Sequence, residues 1–218
     1  MALNKVFINV TLPKARASHP HLDLPWAAPA SNNDPVYSCD FIFPPSADLQ
    51  ELRDAMNETL IGALGKQWSE DYTMCAENRR AIQESKNPSC DLSALIEVFG
   101  PCTRVRAKVE EDDEQPAVYN QAAKPVTELS EIKRLIGGGD HVIGIVKPYA
   151  WTYGKTCGVS LELIAVQLAA VDRIGGVKPS NSSVAASAFQ PQAGSDVGDD
   201  GADNPDSYND NDDDDMPF

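Results

Sequence analysis

The chain has 218 residues and a mass of 23.5 kDa, room for one generous domain or one domain and a tail. Its formal charge of −15 is uneven: residues 179–218 hold ten Asp and nothing basic, while the body sets all 18 Lys and Arg against the other 23 acids, a charge of −5. That balance argues against a uniformly charged nucleic-acid binder but leaves room for a local cationic face. Membrane spans are excluded too, since no apolar run reaches the ~18–20 residues needed, and no signal-peptide pattern opens the chain.

In LNKVFINVTL, Val6, Ile8, Val10 and Leu12 alternate with Lys5, Phe7, Asn9 and Thr11, the pattern of a half-buried strand. HPHLDLPWAAP, carrying His19, His21 and Trp26, reads as a Pro-rich loop. VYSCDFIF puts Tyr37, Cys39, Phe41 and Phe43 on one face of a second strand. A helix should follow, with Ser46 as N-cap and Leu49, Leu52, Met56, Leu60, Ile61 and Leu64 at helical spacing. A second helix is expected around Tyr72–Glu84. TRVRAKVEEDDEQ alternates strictly, with Val105, Ala107 and Val109 inward and Arg104, Arg106 and Lys108 outward; Glu110–Glu114 then reads as a solvated hairpin tip. Gly137-Gly138-Gly139 reads as a flexible turn. HVIGIVKPYAWTYGK and GVSLELIAVQLAAV give two closing strands linked near Gly154–Gly158. The expected fold is mainly β with inserted helices, a small barrel or sandwich over residues 1–177. From 178 to 218 the composition cannot bury enough apolar surface to offset ordering, so an acidic disordered tail is expected.

Enzyme signatures are missing: there is no GxxxxGK[ST], GxSxG, HExxH or HxE…PCxxC pattern. The five cysteines lack CxxC spacing, so neither a metal nor a cofactor is expected. The residues point to binding instead. Lys147, Tyr149, Trp151, Tyr153 and Lys155 share one parity and, in a strand, project from one face at ~6.6 Å intervals. Such a row stacks unpaired bases and meets phosphates at its ends. The alternative is that these rings pack the core while Ala150 and Thr152 face water, which the shared parity of Ile143 and Ile145 supports unless Pro148 shifts the register. Arg104, Arg106 and Lys108 form a second phosphate-binding stripe, which Lys5, Phe7, Lys14 and Arg16 would extend. Trp26 would either stack on a base or cap the barrel.

The chain ends NDNDDDDMPF, and DDDDMPF closely resembles the acidic tip of bacterial single-stranded-DNA-binding proteins. The body is more similar to phage-encoded single-stranded-DNA-binding proteins, through DPVYSCDFIFP followed by a helix and through GGDHVIGIVKPYAWTYGKTCGVSLELIAVQ. The resemblance implies an OB-fold five-stranded barrel that coats single-stranded DNA in replication, recombination and repair, in the cytoplasm of a bacterial host. It also implies that Asp212, Asp213, Asp214, Asp215, Met216, Pro217 and Phe218 recruit replication or recombination proteins. A homo-oligomer is compatible with it. The rival expectation is an acidic DNA mimic or adaptor, which suits the net charge and not the basic stripes.

Overall fold

Alternating apolar and polar residues along five segments roll one sheet into a barrel. The computed structural model of the protein describes residues 8–27, 34–65, 73–74, 81–87 and 92–174. Its strands are β1 (Val10–Thr11), β2 (Ala15–Trp26), β3 (Val36–Phe43), β4 (Thr73–Met74), β5 (Ile82–Glu84), β6 (Thr103–Glu110), β7 (Ala117–Tyr119), β8 (Pro125–Val126), β9 (His141–Tyr153) and β10 (Thr156–Ala170). Three helices are described: α1 (Gln50–Leu64), α2 (Ser93–Phe99) and α3 (Leu129–Leu135).

The ring runs β9-β2-β3-β6-β10 and back to β9. Four of its joins are antiparallel. The fifth, β6 with β10, is parallel and rests on the pair Lys108 and Glu162. This is the closed five-stranded OB-type barrel the sequence led us to expect. Its interior takes Ala15, Ala17, Phe41, Phe43, Val105, Ala107, Val142, Val146, Leu161 and Leu163 in one buried cluster. Gly144 belongs there because a Cβ would lie 2.4 Å from the Phe41 ring. α1 closes the barrel with Leu52, Ala55, Met56 and Leu60.

Several expectations are corrected. The Pro-rich segment is not a loop but most of β2, a strand of 12 residues. Its register shifts between Ser18 and His21 and again before Trp26, and those irregularities accommodate Pro20 and Pro25. The helix expected over Tyr72–Glu84 is replaced at its ends by β4 and β5, because Ile82 and Gln83 pair with Val105 and Arg104. α1 starts at Gln50, whose N–H is taken by Asp48 Oδ1 at 2.9 Å, and Ile61 faces solvent. The acidic run is an exposed turn but no hairpin tip, since β7 pairs with β10 and β8. The β9–β10 turn is shorter than expected, confined to Gly154 and Lys155.

The triple glycine is likewise no loose turn. Asp140, fully buried, accepts from the Gly137 N–H at 2.8 Å, the Asp172 N–H at 2.9 Å and Arg173 Nε at 3.0 Å. Gly139 adopts φ 97°, and a Cβ there would meet the Asp172 carbonyl at 2.8 Å. The segment thereby clasps the chain where it leaves β10.

Candidate nucleic-acid interface

The outward positions of β3 and β6 floor a groove. On β6, buried Val105, Ala107 and Val109 leave Arg104, Arg106 and Lys108 outside, as the alternation requires. On β3 the same rule turns half-buried Ser38 and buried Asp40 to this side, opposite Lys108 and Arg106. α2 walls one side, its Leu92 and Leu95 packed on Ile42. His19, His21 and Trp26 from β2 wall the other, enclosing about 500 Å³.

The cations there are not bare. Asp40 accepts from Arg106 at 2.8 and 3.0 Å and from Arg104 at 3.5 Å. The hydrogen bond to Asp40 raises Arg106 above its ordinary pKa, so its charge is permanent. Arg104 also donates to Gln83. Asp40 was legible as the alternate neighbour of Cys39 and Phe41, but its place beside the arginines depends on the β3–β6 register, which no local pattern carries. His19 and His21 were missed for a different reason: their strand looked like a loop.

The second part of the surface is β9. Val142, Gly144, Val146 and Pro148 are buried, while Lys147, Tyr149, Trp151 and Tyr153 point outward. The row faces outward as the stacking alternative expects, but without the register shift at Pro148. The β9–β10 register runs unbroken through Pro148, and Ile143 and Ile145 also face outward, covered by Tyr119 and Ala123. The row is partly engaged: Lys147 Nζ lies 2.6 Å from Glu162, and the Trp151 indole lies over Gly158. Tyr153 is 84% exposed, and Lys155 stands exposed in the turn. Because Glu162 pairs with Lys108 on one side and Lys147 on the other, the row Lys108, Glu162, Lys147 joins both parts of the surface.

The remaining expected residues divide. Trp26, 47% exposed, stacks on His21 with centroids 5.1 Å apart. Burial, then His19, lowers the His21 pKa, favouring a neutral imidazole. Lys14 is exposed just before β2. Arg16 is turned away from the groove, bound to Asp172 at 2.7 Å and the Gly139 carbonyl at 3.2 Å. Lys5, Phe7 and the tip Asp212–Phe218 lie outside the described residues. Cys39 and Cys102 are buried thiols whose pKa burial pushes up, favouring the protonated form. Among the described residues, no group of three His, Cys, Asp or Glu is placed to hold a metal, and no helix is long and apolar enough to cross a membrane.

No protein-family model matches the chain, and no curated protein matches its sequence. Solved structures do. The single-stranded DNA-binding protein from bacteriophage Enc34 in complex with ssDNA superposes with a TM-score of 0.58 at 20% identity, covering 80% of this chain and 97% of that one. Its C-terminal truncation gives 0.59 at 19% identity, over 76% and 87%. The gp2.5 single-stranded DNA binding protein encoded by bacteriophage T7 gives 0.52 at 16% identity, over 83% and 100%. At these identities the likeness establishes a shared fold.

Proposed function

We propose that this protein binds single-stranded DNA without regard to base order and has no catalytic role. The observation that carries the proposal is the position of the groove. β2, β3, β6, β9 and β10 are barrel strands one to five, so the groove floor is the outer face of strands two and three. Tyr153 and Lys155 lie in and beside the turn between strands four and five. OB barrels take oligonucleotides at that face and at those loops. The Enc34 protein, solved with ssDNA, shares the barrel. Phosphates would follow Arg104, Arg106, Lys108 and Lys147, and bases would stack on Tyr149, Trp151, Tyr153 and Trp26.

Residues 178–218 complete the reading. Their ten aspartates would compete with DNA for the cationic groove when DNA is absent, and the tip Asp212–Phe218 would recruit replication or recombination proteins. The test is a titration of the full-length chain with oligo-dT and with mixed-sequence oligonucleotides, followed by tryptophan fluorescence. Saturable quenching, similar for both and weakening with salt, is expected. Deleting residues 179–218 should tighten binding at low salt. No quenching, with or without the tail, would overturn the proposal and favour the acidic-adaptor reading.

A further inference from the structure

Two hollows share a wall made of two rings. His21 and Trp26 line the 500 Å³ groove, and they also line a second hollow of about 410 Å³ whose far side is Ile132, Lys133 and Ile136. A strand leaving the groove on this side must therefore cross the pair. The rings are parallel within 8°, and their separation is that of an attractive offset stack. The backbone beneath them is unusually constrained. Pro20 and Pro25 fix φ beside each ring, and His19 holds φ 47°, its Nδ1 2.8 Å from the Ser18 hydroxyl. Little freedom is left to lose at this point when a ligand arrives, which is the condition for tight capture by an exposed ring.

Resting on the DNA-binding reading, we infer that His21 is a positioning residue: its imidazole holds the Trp26 indole in place to stack a nucleobase where the strand leaves the groove. His21 itself needs no contact with the DNA. Its low pKa agrees with this, because a neutral ring stacks without attracting phosphate.

The experiment compares the full-length chain with His21→Ala and His21→Phe, using oligo-dT and an abasic oligomer of equal length. His21→Ala should weaken oligo-dT binding by about two- to ten-fold, the scale of one ordered side chain's regained freedom. The penalty should vanish on the abasic strand, His21→Phe should restore wild-type affinity, and the salt slope should not move. An equal penalty on the abasic strand, or no rescue by Phe, would overturn the inference. If His21→Ala does not fold, His21→Gln, which also lacks a ring, takes its place. Wild-type chain that binds neither oligomer would overturn the DNA-binding reading itself. Wild-type binding to oligo-dT with an unchanged His21→Ala would sink only the role of His21.

Discussion

Glu162 is a carboxylate placed to oppose phosphate binding, so replacing it by Gln should strengthen the interaction with DNA. It sits between Lys108 on β6 and Lys147 on β9, and Lys147 Nζ is 2.6 Å from its Oε2. The two lysines stand two strand spacings apart, roughly 10 Å. Glu162→Gln keeps the shape and removes the charge, which turns one or two more cations toward phosphates. Each phosphate neutralised on a single strand adds ~0.7 to the slope of log K against log salt. Between about 50 and 200 mM KCl, one extra contact widens the affinity ratio ~2.6-fold and two widen it ~7-fold. The stability cost is small, since a cross-strand ion pair is worth ~0.2–1 kcal/mol. Anisotropy titrations of labelled oligo-dT across that salt range measure both slope and affinity. An unchanged or shallower slope in folded Glu162→Gln would show that this row lies off the phosphate track.

Gly158→Ala would place a Cβ 2.5 Å from Trp151 Cζ2, so the indole must move. Near-ultraviolet circular dichroism should change and oligo-dT affinity should fall by part of the ~1–3 kcal/mol that a base–aromatic stack contributes; unaltered affinity with a displaced ring would remove Trp151 from the binding surface. Asp140→Ala would take the carboxylate from half-buried Arg173 and the acceptor from two N–H donors, costing up to ~3–5 kcal/mol and lowering the melting temperature accordingly; a shift below a degree would mean the clasp is slack. Burial, aided by His19 for His21 and by Arg16 and Lys14 for His141, lowers both histidines below their ordinary 6.5. A depressed histidine binds fewer protons folded than unfolded, so its contribution is complete above 6.5 and lost as pH falls through the folded value. Urea midpoints should be level from about pH 7 to 8 and drop toward pH 5.5, and His21→Gln with His141→Gln should flatten that drop; a midpoint that rises on acidification contradicts the burial argument.

Period-two alternation made β3, β6, β9 and β10 legible, because along each of them alternate residues enter the barrel core. β2 escaped because its two prolines look like loop residues, and only the bulges that absorb them reveal a strand. β4 and β5 are two and three residues long, too short to carry a period, and exist through pairing with distant strands. The site followed the same division. Outward parity on β6 and β9 located Arg104, Arg106, Lys108 and the aromatic row. What it missed was the neighbour across the ladder. Asp40 and Glu162 belong to other strands, and their effect on the cations depends on registers that no local pattern contains. Ile143 and Ile145 misled for a related reason: they are covered by a separate segment, which made an outer face read as an inner one.

The join between β6 and β10 gives the barrel a hinge line. The β2–β3, β3–β6 and β9–β10 joins are antiparallel ladders of five pairs or more. β2–β9 adds to its two pairs the bonds of Ala17 with Gly139 and Asp140. Here, by contrast, the single pair Lys108 and Glu162 supplies the register. Local opening follows the route with fewest buried backbone bonds, so breathing should begin at this seam. A strand lying across Lys108 and Lys147 would bridge the gap like a staple, and amide exchange in β6 and β10 would slow most on loading.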